Sequence, residues 1–114
     1  MDDCIFCKIV SGAVKGDVVY QDEDVVAFRD LAPQAPTHVL VVPRRHIATI
    51  NDLQPETAPL IGKLYLAAKQ VAEREGLSER GYRTVINCNA EAGQAVFHIH
   101  LHVLGGRPRT WPPG

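Results

Sequence analysis

The stretch Val96-Phe97-His98-Ile99-His100-Leu101-His102-Val103-Leu104-Gly105-Gly106 decides how the rest of the chain is read. It gathers three of the five histidines within five residues, each separated from the next by one aliphatic residue. Side chains alternate faces along an extended strand. A strand over Val96 to Leu104 therefore puts His98, His100 and His102 on one face and Ile99, Leu101 and Val103 on the other. One face packs and the other is free for chemistry. Two chemistries compete for such a row. Alternate residues lie about 6.7 Å apart along a strand, close enough for long side chains to converge on a metal. Alternatively, one imidazole attacks phosphorus while a neighbour and backbone N–H groups hold the phosphate oxygens. The turn Ala92-Gly93-Gln94-Ala95 leads straight into the row and offers N–H donors rather than carboxylates, which favours the phosphate.

The segments around the row set its architecture. Tyr82 to Asn87 reads as a strand, joined to the histidine strand through a turn holding Asn89, Glu91 and Gly93. Val18 to Gln21 and Val25 to Arg29 are rich in β-branched and aromatic residues and flank Asp22-Glu23-Asp24, which predicts a hairpin. His38 to Pro43 is dominated by valine and reads as a more deeply buried strand. From Pro55 to about Glu75, Leu60, Ile61, Leu64, Ala67, Ala68 and Val71 recur at helical spacing. Gly76 supplies the stop, and Pro55 and Pro59 are tolerable only in the first turn. Ile5 to Val10, ended by Ser11-Gly12, predicts a short helix. Five strands, one long helix and one short one, without regular βαβ alternation, predict an α+β fold: a five-stranded antiparallel sheet with the long helix on one face.

At 114 residues, the expectation is a single domain over 1–114. Apolar residues at 46% and charged residues at 22% exclude a disordered chain. A formal net charge of -1 removes the electrostatic footprint of a general nucleic-acid binder. The longest aliphatic run, Val39 to Val42, falls far short of the roughly 18 residues that span a bilayer, so no membrane partner is expected. Met1-Asp2-Asp3 is acidic where a signal peptide is basic, which predicts a cytoplasmic protein. Cys4, Cys7 and Cys88 form an odd set that does not suit a disulfide framework.

His98-Ile99-His100-Leu101-His102-Val103-Leu104 resembles the motif of the histidine-triad (HIT) family. Ile5-Phe6, Ala27-Phe28-Arg29-Asp30, Pro33 to His38, Val42-Pro43, Gly93-Gln94, and Leu104-Gly105-Gly106-Arg107 through Trp111-Pro112-Pro113-Gly114 are similar to a bacterial member of its nucleotide-binding branch. The resemblance implies a HIT-like fold and a homodimeric purine nucleoside phosphoramidase. Such an enzyme cleaves adenosine 5′-phosphoramidates to AMP and an amine, with AMP and GMP derivatives as its substrate class. It implies that His100 is the nucleophile forming a nucleotidyl-histidine, and that His102 contacts the phosphate and leaving group, with His98 completing the catalytic row. Asn87, Gly93, Gln94 and Ala95 then fall on the phosphate side, Asp30 and Leu31 at the ribose, and Ile5, Phe6, Ile9 and Phe28 around the base. Ala95 departs from the serine common there in eukaryotic members, which removes a hydroxyl contact. Plain core packing for Phe6 and Phe28, and a turn cap for Asp30, are the ordinary alternatives. His38 either supports the triad from behind or is a satisfied core histidine. The tail around Trp111 is expected to reach toward a partner's site.

Two rivals share the triad: a non-catalytic nucleotide-binding or scaffold protein, and a dinucleoside polyphosphate hydrolase or nucleotidylyltransferase. The Leu104-Gly105-Gly106 run and the Trp-Pro-Pro-Gly terminus favour the phosphoramidase branch. Cys4-Ile5-Phe6-Cys7 is a lone C-x-x-C without the preceding strand of a redox pair. Zinc needs two further ligands, for which His46 and His98 are the candidates, giving a structural Zn²⁺ on Cys4, Cys7, His46 and His98 that the chemistry itself does not need. Two buried thiols acting as small hydrophobes are the alternative.

Overall fold

Val18–Gln21 (β1) and Val25–Arg29 (β2) form the expected hairpin because Asp22 folds its own turn. Its carboxylate accepts the backbone N–H groups of Asp24 and Val25 at 2.8 and 2.9 Å. Thr37–Pro43 (β3), Arg83–Val85 (β4) and Leu101–Gly105 (β5) complete one antiparallel sheet in the order β1-β2-β3-β5-β4. Two helices, Ile5–Ser11 (α1) and Ala58–Arg74 (α2), complete the α+β fold predicted from the sequence. The computed structural model describes residues 3–114, so Met1 and Asp2 of the acidic opening lie outside the described residues.

The histidine strand is shorter than its sequence suggests, starting at Leu101 rather than Val96. β3 pairs with β5 from Thr37↔Gly105 only as far as Val41↔Leu101. Beyond that point β3 reaches Pro43, which has no N–H to donate, and the facing chain takes other partners. The N–H of Ile99 goes to Ile47 O at 2.6 Å, and the His98 ring takes Pro43 O. His98 and His100 thus lie in irregular chain just before the strand, and only His102 of the three is a strand residue. β4 is likewise confined to Arg83–Val85 of the expected Tyr82 to Asn87, because its pairing with β5 ends at Val85↔His102. The long helix begins at Ala58, since Pro55–Thr57 form a separate 3-10 turn whose Thr57 hydroxyl accepts the Gln54 N–H. Pro59 sits in the first turn, and Gly76, at φ 73°, ends the helix.

The two sheet faces carry different cores. Val25, Ala27, Val39, Val41, Leu101 and Val103 pack against Leu64, Ala67, Ala68 and Val71 of α2. Val26, Phe28, Leu40 and Val42 face the other way and meet Phe6 of α1. His38 and His102 lie on this second face, because His38 is two residues from Leu40 and His102 pairs with Leu40 in the ladder. The Leu104-Gly105-Gly106 run has a packing reason. A Cβ on Gly105 would lie 2.6 Å from Leu77 Cδ1, and Gly106 turns the chain out of the sheet at φ +96°.

Candidate active site

Two short hydrogen-bond chains fix which nitrogen of each histidine carries its proton. His100 Nδ1 lies 2.8 Å from the carbonyl oxygen of His98, which can only accept, so Nδ1 donates and Nε2 is left as a bare lone pair. The backbone N–H of Gln34 donates to His38 Nδ1 at 3.0 Å. His38 Nε2 therefore carries the hydrogen, and it lies 2.9 Å from His102 Nδ1. His102 in turn holds its proton on Nε2, which is buried and has no partner among the described residues. The rings of His100 and His102 are 4.9 Å apart, so a bare acceptor and an unused donor stand side by side. Loss of hydration on burial pushes His38 and His100 down from the ordinary imidazole range. The same cause takes His102 to about 4, helped by the neighbouring His100 and His38. All three rings are neutral at pH 7.

Both rings open onto a cleft of about 800 Å³ on the α1 side of the sheet. Of the residues singled out from the sequence, Ile5, Phe6, Ile9, Phe28, Asp30, Leu31, Gly93, Ala95, His100 and His102 line it. Phe6 meets Phe28 edge-on at 5.3 Å and His100 at 5.1 Å, so both aromatics are core and cleft wall at once. Asp30 also has two tasks: one carboxylate oxygen caps the Ala32 N–H at 2.9 Å while the other lies 3.4 Å from His38 Nε2. Asn87, Gln94 and His98 do not line the cleft. Gln94 is buried and braces the turn instead, accepting the Asn89 N–H and donating to Ala48 O and Val96 O. Lys15, Gly16, Asp17 and Leu40 line the cleft without having been singled out. The first three sit in a connection with no motif, and Leu40 becomes visible only through its register with His102.

His98 is fully buried at 0% exposure and belongs to a second cluster. Cys4 caps α1, its Sγ accepting the Cys7 N–H at 3.3 Å, which turns both thiols to one side of the helix start. His98 Nε2 donates to Pro43 O at 2.8 Å, leaving a lone pair on Nδ1, which lies 3.4 Å from both Cys4 Sγ and Cys7 Sγ. His46 Nδ1 lies 3.3 Å from Cys7 Sγ, and the four ligand atoms all fall within 4.8 Å of one another. Tetrahedral zinc with bonds of about 2.3 Å to sulfur and 2.0–2.1 Å to nitrogen sets S···N edges near 3.5 Å, so this donor set fits the ion. Four protein donors close the site and leave no open position for a reacting water.

The HIT domain family profile matches residues 11–109. The chain belongs to the HIT family. The purine nucleoside phosphoramidase of Escherichia coli K12 is 48% identical over 107 residues, covering 94% of this chain and 90% of that one. A HIT family hydrolase from Legionella pneumophila superposes with a TM-score of 0.96 at 54% identity, covering 98% and 100% of the two chains. A Zn-bound HIT protein from Mycobacterium smegmatis superposes at 0.80 with 37% identity, covering 93% and 76%.

Proposed function

We propose that this HIT protein is a purine nucleoside phosphoramidase, hydrolysing adenosine 5′-phosphoramidates to AMP and amine. The observation that carries the reading is the pairing of His100, whose Nε2 is unprotonated, with His102, whose Nε2–H has no partner, inside one apolar-walled cleft. In this reading His100 Nε2 attacks phosphorus, the N–P bond to the enzyme forms, and the P–N bond to the amine breaks. His102 Nε2–H hydrogen-bonds the phosphate and leaving group, where charge develops. The departing nitrogen leaves as the amine with the His102 Nε2 proton. Water then attacks the nucleotidyl-histidine: its oxygen goes to phosphorus, its proton restores His102, and the His100 Nε2 lone pair is freed. Phe6, Phe28, Ile5 and Ile9 suit the base, and the Asp30 carboxylate and Leu31 suit the ribose. Gly93 and Ala95 bring the turn's backbone to the phosphate, and Gln94 braces that turn from outside the cleft. The 48% identity to the E. coli phosphoramidase supports the same substrate class. Steady-state turnover of an adenosine phosphoramidate beside diadenosine polyphosphates tests the reading. Preference for the polyphosphates, or no turnover of either, would overturn it.

The same reading assigns Zn²⁺ to Cys4, Cys7, His46 and His98, where it fixes the backbone of His98 and through it the His98 carbonyl that sets the His100 tautomer. When bound, the ion supplies structure rather than Lewis acidity. Three free thiols suit a reducing, cytoplasmic setting, and no helix of the described residues is long and apolar enough to cross a membrane. The single domain over 1–114 is assigned as a homodimer. Support comes from the open edge at β4 and from large apolar side chains left at the surface, among them Leu66, Phe97 and Trp111.

A further inference from the structure

Cys4 and Cys7 are drawn together by the fold, yet both thiols are free and only half-buried. Their Sγ atoms each lie 3.4 Å from His98 Nδ1 and within 4.8 Å of one another. Cys4 precedes the first turn of α1 in extended backbone, φ -79° and ψ 114°, and Cys7 follows one turn later. Cα atoms one turn apart are separated by about 5 Å, within the roughly 4.4–6.8 Å that a disulfide bridges. A pocket of about 380 Å³ opens on this cluster, with Cys4 and His46 in its wall beside Asp3 and Phe97. Cys7 does not line it; its Sγ sits behind, 3.3 Å from His46 Nδ1. The pocket takes no residue from β4, α2 or the carboxy-terminal segment. A small solute therefore reaches Cys4 first, with a second thiol at hand to resolve whatever forms there.

We propose that Cys4 and Cys7 form a peroxide-sensitive switch, in which oxidation to a Cys4–Cys7 disulfide removes both sulfur ligands of the metal site at once and expels the ion. Cys4 Sγ attacks one oxygen of hydrogen peroxide, the O–O bond breaks, and hydroxide leaves a sulfenic acid behind. Cys7 Sγ then attacks the Cys4 sulfur, the S–OH bond breaks, and a second hydroxide departs. The two thiolates lose two electrons, the peroxide gains them, and two protons from solvent turn both hydroxides into water. A disulfide carries no charge, and the imidazoles of His46 and His98 alone are half of a tetrahedral set. His98 is 0% exposed and loses its sulfur partners at Nδ1, while its carbonyl is the acceptor of the His100 Nδ1 proton. On the phosphoramidase reading, the oxidised form is therefore a slower enzyme.

The probe is hydrogen peroxide, added to the zinc-loaded protein in the presence of a metallochromic dye. The dye reads the released ion, and peptide mass mapping after thiol blocking reads the disulfide. The expected result is about one zinc released per chain, at the rate at which the Cys4–Cys7 disulfide appears. A dithiol reductant with added zinc should restore both the metal content and the melting temperature. In Cys7→Ser, with no thiol to resolve it, the sulfenic acid should collect on Cys4, where dimedone traps it. Cys88→Ser should release zinc at the wild-type rate. Turnover of an adenosine phosphoramidate should fall about tenfold or more as the ion leaves and return on reduction. Zinc retained while the thiols oxidise, release without the disulfide, or a disulfide that involves Cys88 overturns the switch. Turnover unchanged by release overturns its link to His100. Protein that carries no zinc overturns the metal assignment along with it. Zinc release with the disulfide, but no phosphoramidate turnover in either form, upholds the switch and overturns the phosphoramidase reading instead.

Discussion

His38 Nε2 lies 2.9 Å from His102 Nδ1 and donates to it, because the Gln34 N–H already occupies the far side of the His38 ring. This one contact settles where His102 carries its proton, and so whether the cleft is offered a donor or an acceptor. His38→Phe removes the setting while keeping an aromatic ring in the core. A buried hydrogen bond of this kind is worth about 1–3 kcal/mol, which corresponds to roughly a 10- to 100-fold fall in kcat. AMP affinity should change much less. Wild-type kcat in a folded His38→Phe protein would reduce His38 to packing.

The depressed His102 value gives stability a defined pH dependence. An unfolded histidine takes up a proton as pH falls through about 6.5, whereas His102 in the folded protein does not until about 4. The unfolded state therefore binds more protons in that window, and stability is full above about pH 6.5 and lost progressively toward pH 4. Each unit of depression corresponds to about 1.4 kcal/mol, so His102 accounts for up to about 3 kcal/mol of the loss. His38, also lowered by burial, adds in the same direction. Melting temperature measured from pH 8 to pH 4 should fall below pH 6.5, and His102→Gln should flatten the fall. A flat wild-type profile would show that the ring is not held neutral.

Which parts of this were legible in the sequence follows from how local their causes are. β1, β2 and the turn between them depend on residues within a dozen positions of one another, and Asp22 makes its own turn, so their bounds could be read directly. The upstream limit of the histidine strand could not, because it is set by Pro43 and Ile47, more than fifty residues away. The same distance hid the division of labour within the row. Strand alternation treats His98, His100 and His102 as equivalent, but the ring of His98 is drawn to Cys4 and Cys7 while its carbonyl serves His100. The cleft's aromatic wall was reached only through family resemblance, since Phe6 and Phe28 have the composition of ordinary core.

Metal analysis of protein purified without chelator should give about one zinc per chain. Stripping it, or changing Cys7→Ser, should lower the melting temperature more than it lowers the rate per folded molecule, because the ion's binding free energy is folding free energy. Metal-free protein of unchanged stability would leave Cys4 and Cys7 as plain packing. Activity lost on chelation with the fold intact would move the ion into the chemistry.

Gly105 tests the packing reason for the Leu104-Gly105-Gly106 run. A methyl group there would meet Leu77 at 2.6 Å, so Gly105→Ala should cost about 1–3 kcal/mol by overpacking. Leu77→Ala in the same chain should recover part of the loss, which a thermodynamic double-mutant cycle would read as a favourable coupling. Independent, additive effects would show that the two residues do not press on each other.

The central claim is that His100 Nε2 forms the bond to phosphorus. Rapid quenching during turnover of an adenosine 5′-phosphoramidate, followed by peptide mass mapping, reads it directly. The account predicts an adenylate on His100 alone. In His100→Ala the adduct should be absent and turnover reduced by at least about a thousandfold, with AMP still bound. An adduct on His98, His102 or any other side chain, or wild-type turnover by His100→Ala, would contradict it.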